Sequence, residues 1–233
     1  MNLIWMYITY FVMVAVNAFA NILPLNGVTT GEVSNRYQTL FTPAGYVFSI
    51  WGLIYLLLFV WLVGVTVKRE HVTSQLAFVF TSSSLLNALW IFMWHFNLIF
   101  LSIVVMLLLL LSLLLFYAYQ KQISKRRLWR VPISVYLGWI FVATIANICY
   151  YFNVLGLVSF QSGATIILLL LASFFVLVFR YKQNDFIVPL VFVWAFIGIF
   201  IRDYALAPFV AYTALIMAIM IFMLNWFRLK QYK

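Results

Sequence analysis

Charge is what this chain lacks. Only 8% of its 233 residues are charged and 67% are hydrophobic, against about 25% charged in an ordinary soluble domain. So few polar side chains cannot clothe a water-facing surface. That excludes a soluble globular protein and leaves a polytopic membrane protein, an all-α helix bundle in one compact body. Acids are scarcest: Glu32, Glu70, Asp185 and Asp203 are the only ones, and none falls in the middle of an apolar run. Intramembrane carboxylates mark proton relays and ion coupling, so a proton-driven pump is not expected. No lysine lies inside an apolar run, which excludes a retinal Schiff base. The single cysteine, Cys149, precludes an internal disulfide and reads as a small buried hydrophobe. His71 and His95 stand at the ends of apolar runs with no Cys or carboxylate cluster nearby, so a fixed metal site is not expected, and haem ligation by His95 is a minor alternative. There is no phosphate-cradling glycine loop and no nucleophile motif. The net charge of +10 sits in short hydrophilic breaks between apolar runs, so the expected partner is membrane lipid and no nucleic acid.

What is present is apolar helix. A membrane-crossing helix needs about 20 mostly apolar residues. Eight candidate runs occur, at 3–22, 45–67, 74–94, 98–119, 132–152, 163–179, 186–201 and 208–227. The break "HFN" at 95–97 is the weakest separator. With both termini cytoplasmic, the inner segments carry Lys68, Arg69, Lys121, Lys125, Arg126, Arg127, Arg130, Arg180, Lys182, Arg228, Lys230 and Lys233, and the outer ones only Arg36 and Arg202. That bias satisfies the positive-inside rule and suits a bacterial plasma membrane protein. "NAFA" at 17–20 resembles a cleavage signal, but no basic residue precedes it, so the first run is expected to stay. The basic break 120–130 should rest against anionic headgroups with Trp129 at the interface, and the leucine run 107–115 should face lipid.

The one long break, 23–44, is polar and holds the turn signal Asn26-Gly27. Glu32 and Arg36, four apart in it, could be paired by a short helical turn. Beyond it, "FTPAGYVFSIWGLIY" (41–55) enters an apolar run through a proline turn and then sets aromatics at helical spacing. Phe48, Trp51 and Tyr55 share one face, as do Asn87, Trp90 and Trp94, and Trp139, Ala143, Asn147 and Tyr150. Asn17 and Asn21 form a similar pair. Asparagine amides must point into the bundle, since lipid cannot satisfy them. Polar residues also serve simply as glue between membrane helices, at about 0.6–2 kcal/mol per bond. Three such stripes under one long loop suggest an aromatic-walled, partly polar cavity suited to a flat hydrophobic ligand.

These residues resemble the tryptophan-rich sensory protein family (TspO/MBR), which includes the translocator protein, or peripheral benzodiazepine receptor. "PAGYVFSIWGLIY" matches the opening of that family's second helix, with Tyr46 where the family usually has Trp. "RYQTLFTP" matches the approach to it, with Arg36 in place of Trp. Asn87 with Trp90 matches the third helix, and Trp139, Ala143 and Asn147 match the fifth. The resemblance implies a five-helix core over 1–155 with a 156–233 extension of three helices. It implies a receptor or sensor-like protein that binds a porphyrin, related tetrapyrrole or sterol-like molecule, with no obligatory cofactor. The ligand-binding residues would be Tyr46, Phe48, Trp51, Tyr55, Asn87, Trp90, Trp94, Trp139, Ala143 and Asn147, under a lid carrying Glu32, Arg36, Tyr37 and Pro43. Homodimerisation also occurs in the family. The alternatives are a transporter of such a molecule, a tetrapyrrole-degrading enzyme with no visible general base, and a structural partner for another membrane protein.

Overall fold

A computed structural model describes residues 2–22, 25–68, 72–124, 126–157 and 161–230. Leu23 and Pro24 of the long loop, and Arg69, Glu70, His71, Lys125 and Lys233 of the charged breaks, lie outside the described residues. Among those described there are nine helices and no strand: α1 Asn2–Ile22, α2 Thr30–Arg36, α3 Ile50–Val67, α4 Ser74–His95, α5 Ile99–Ile123, α6 Val131–Val154, α7 Gln161–Gln183, α8 Ile187–Asp203 and α9 Pro208–Lys230. Seven are long and apolar enough to cross a membrane. The one remaining expected run, 186–201, forms α8, but its 17 residues rise only about 26 Å, short of a hydrocarbon core about 30 Å thick.

Helix ends follow local chemistry. Thr73 caps α4 by accepting from the Leu76 amide at 3.2 Å. The weak break at 95–97 does end α4. Asn97 takes a left-handed φ of 59°, and the Leu98 amide turns back to the Met93 carbonyl at 2.9 Å. The leucine run is only half outward. Leu107, Leu108, Leu111 and Leu115 are exposed, while Leu109 and Leu113 are fully buried with Met106 and Phe116 on the inward stripe of α5.

The chain forms two compact units, Met1–Arg36 with Trp51–Ile140, and Tyr37–Ile50 with Phe141–Lys233. In the first, α1 and α5 both pack on α4. Its apolar centre includes the rings of Trp61, Phe80 and Phe116, with centroids 5.2–5.8 Å apart. Ser83 and Ser84, from the small-residue run of α4, are buried and donate back to the Phe80 carbonyl. Trp129 lies over Gly64 of α3, and the Lys68 ammonium sits 4.5 Å above its ring.

In the second unit, α8 packs on α9, and α7 on both. The segment leading into α3 docks on α8. The Ala44 amide donates to the Gly198 carbonyl at 3.1 Å, Trp194 Nε1 to the Val47 carbonyl at 3.2 Å and Arg202 Nη1 to the Thr42 carbonyl at 3.0 Å. Phe41 meets Phe196 edge-on, and Tyr46 meets Trp194 edge-on. The proline turn is therefore seated on the C-terminal helices.

Candidate ligand-binding site

Trp51 is the hub of the first unit's aromatic set. Its ring stacks with Tyr55 at 5.8 Å and with Trp90 at 6.3 Å. It meets Tyr136 and Trp139 edge-on, both at 6.1 Å. Trp90 in turn stacks on Trp94 at 5.7 Å. Spacing explains the gathering: Trp51 and Tyr55 are four apart on α3, Trp90 and Trp94 four apart on α4, Tyr136 and Trp139 three apart on α6. Trp90, Trp94, Tyr136 and Trp139 are buried, whereas Trp51 and Tyr55 are half-buried.

Asparagines line the same unit. Asn17 Nδ2 donates to Asn87 Oδ1 at 2.7 Å and to the Met13 carbonyl at 3.0 Å. Asn21 donates to the Asn17 carbonyl at 2.9 Å. Asn87 is fully buried, with its side chain beside the Tyr136 hydroxyl. Buried polar groups are normally paired. The Tyr55 hydroxyl and Trp90 Nε1 are the exceptions beside the half-buried rings of Trp51 and Tyr55. None of the side chains in this set is charged.

The expected lid divides between the units. In the first, Asn26 Nδ2 donates to the His95 carbonyl at 2.7 Å, Thr30 Oγ1 pairs with His95 Nε2 at 3.0 Å, and Trp94 Nε1 donates to the Thr30 carbonyl at 3.3 Å. The first part of the loop is thereby fastened to the end of α4. Glu32 and Arg36 lie on α2, as the spacing predicts. Glu32 spends its carboxylate on a reciprocal cap. The Thr29 amide and hydroxyl donate to Oε2 at 2.6 and 3.0 Å, and the Glu32 amide donates to Thr29 Oγ1 at 3.2 Å. These bonds, the backbone one foremost, hold its pKa below the usual glutamate value; desolvation opposes them and the Arg36 charge adds a smaller lowering. A depressed carboxyl stabilises above its unfolded pKa and loses that contribution as pH falls through the folded one. Hydrogen-exchange protection of α2, corrected for intrinsic rate, should therefore fall in that acid window and lose this step in Glu32→Gln. An identical acid profile in the variant would remove the cap from the account.

In the second unit, Tyr37 meets Tyr150 edge-on at 5.5 Å, and Pro43 is buried at the α8 contact. Tyr46 is exposed beside Trp194 and Phe48 is half-buried. Ala143 and Asn147 follow Trp139 at four-residue steps along α6, with Asn147 buried. Sequence reasoning missed Tyr136, although its three-residue offset from Trp139 marks it. It also missed Trp194, whose role depends on long-range docking. Among the described residues, no group of three or more His, Cys, Asp or Glu gathers where it could hold a metal ion.

The fold defines an integral membrane protein of the polytopic helix-bundle class. The model of the TSPO-like protein family matches residues 3–227, and the chain belongs to that family. The match runs on through α7, α8 and most of α9, beyond the 1–155 stretch on which the resemblance was read. No curated protein and no solved structure matches the chain.

Proposed function

We propose that this TSPO-like protein is a membrane receptor or sensor for a flat, largely apolar molecule with a polar edge, of porphyrin, tetrapyrrole or sterol-like class. The ligand would lie against Trp51 and Tyr55. The observation that carries this reading is the gathering of the half-buried Trp51 and Tyr55 rings with two unpartnered buried polar atoms, the Tyr55 hydroxyl and Trp90 Nε1, in the unit that also buries the Asn87 amide. Ring faces supply stacking area, and the polar atoms orient the ligand edge. We also place the Lys- and Arg-rich breaks on the cytoplasmic face. Counting α8 as a crossing keeps the basic α9 end on that same side.

Protoporphyrin titration of the purified full-length protein tests the site, read by tryptophan quenching. Saturable quenching is expected, with Kd weakened about tenfold or more in Trp51→Ala and several-fold in Asn87→Ala, an effect of about 1.4 kcal/mol per decade. Absence of saturable quenching would overturn the ligand class. An unchanged Kd in folded Trp51→Ala would overturn the site.

A further inference from the structure

The second unit holds a cavity of about 590 Å³, and the described residues that line it all belong to that unit. It lies where α6 ends and α7 begins. Its walls are mainly apolar, with Phe152, Leu157, Ala164 and Leu168 among them. Two amide side chains meet at the end where α6 passes into α7. Asn153 Nδ2 and Gln161 Nε2 converge on the Gln38 carbonyl at 2.6 and 3.1 Å, and Gln161 Nε2 also reaches Asn153 Oδ1 at 3.3 Å. Thr39 and the buried Thr165 add hydroxyls to the lining.

Three features narrow the occupant. Among the described residues no charged side chain lines the cavity, so an ionised headgroup would lose its hydration without a counter-charge. An amide pair beside a mainly apolar space fits a molecule with one polar terminus. Phe152 and Ile167 are 48% and 59% exposed, which joins the wall to the outward apolar surface and gives access from the bilayer. The volume lies within the range of about 300–1,000 Å³ usual for small-molecule sites. We propose that this cavity takes up a neutral, single-tailed amphiphile of monoacylglycerol type from the surrounding membrane. Its tail would lie along Phe152 and Leu168, and its hydroxyl and ester groups would sit at Asn153 and Gln161. This site is independent of the aromatic set around Trp51.

Cys149 lines the cavity and is the only cysteine in the chain, so thiol labelling reports occupancy. The full-length protein in phosphatidylcholine nanodiscs is labelled with an uncharged, membrane-permeant maleimide while monooleoylglycerol is titrated. Labelling should slow saturably, about fivefold at four times Kd, and lysophosphatidylglycerol at equal mole fraction should not reproduce this. Gln161→Ala should raise the half-protecting concentration about tenfold. Ala164→Trp, at an exposed and therefore tolerant position, should slow labelling with no lipid added. Labelling indifferent to monooleoylglycerol, or slowed equally by the anionic lipid, would overturn the proposal. So would an unshifted titration in Gln161→Ala.

Discussion

Gly198→Ala is expected to destabilise the protein by about 1–3 kcal/mol, the usual cost of overpacking a filled site, with a lower thermal midpoint in detergent. A Cβ at this position would collide with Val47 Cγ2, and it would stand 3.0 Å from Pro43 Cβ and 3.5 Å from the Ala44 nitrogen. Val47 and Pro43 are buried. Val47 is β-branched and stiff about χ1, and Pro43 cannot rotate away. The backbone at Ala44 is tied to the Gly198 carbonyl itself. Relief requires the turn to lift off α8, at the expense of that bond and the two side-chain bonds beside it. Because the worst collision is with one methyl group, Val47→Ala should partly rescue Gly198→Ala. The double variant should be more stable than the sum of the single effects by about 0.5–3 kcal/mol. A Gly198→Ala protein that melts with the wild type would show that the turn does not sit so closely on α8.

The second large effect is expected at Trp61. Trp61→Ala should cost about 3–5 kcal/mol, as truncation of a buried tryptophan does. The ring is 2% exposed and wedged between Phe80 and Phe116, themselves buried, so the neighbours have no room to close the space. Trp61→Phe should cost far less, about 1.5 kcal/mol or below. Phenylalanine keeps most of the ring contact. It also removes an Nε1 that is buried without a partner, a group whose desolvation already costs about 1–3 kcal/mol. Thermal unfolding of both variants checks the pair. Equal destabilisation by alanine and phenylalanine would mean that Nε1 has a partner. Trp51→Ala should destabilise less than Trp61→Ala, because Trp51 is only half-buried.

Local periodicity carried much of this. The three-to-four-residue spacings of Trp51 with Tyr55 and of Asn87, Trp90 and Trp94 mark helix faces, and the helices bring those faces together because every turn repeats the same geometry. Thr29 and Glu32, three apart, spell a reciprocal cap. The fate of Pro43 and Tyr46 was not legible. Their partners are Gly198 and Trp194, and no local pattern ties residues so far apart. Gly198 alone offered a hint, since an isolated glycine in an apolar helix often marks close approach of another backbone. The leucine run misled because it is apolar all round, so periodicity cannot separate inward Leu109 and Leu113 from outward Leu108 and Leu111. The cavity beside Cys149 depends on how the end of α6 meets the start of α7, which composition does not encode.

The seating of the proline turn on α8 also orders events during synthesis. The carbonyls of Val47 and Thr42 are met by Trp194 and Arg202, which lie 147 and 160 residues further along the chain. At about 5–20 residues per second, the ribosome needs roughly 10–30 s to supply those partners. For that interval the Thr42 and Val47 carbonyls await these two partners, while α3 to α7 are being delivered to the membrane. Contacts of such long separation close late. A chain cut after α7 would keep six of the seven span-length helices and lose the bonds that hold its own early turn. The order in which this protein enters the bilayer therefore differs from the order in which it finishes folding.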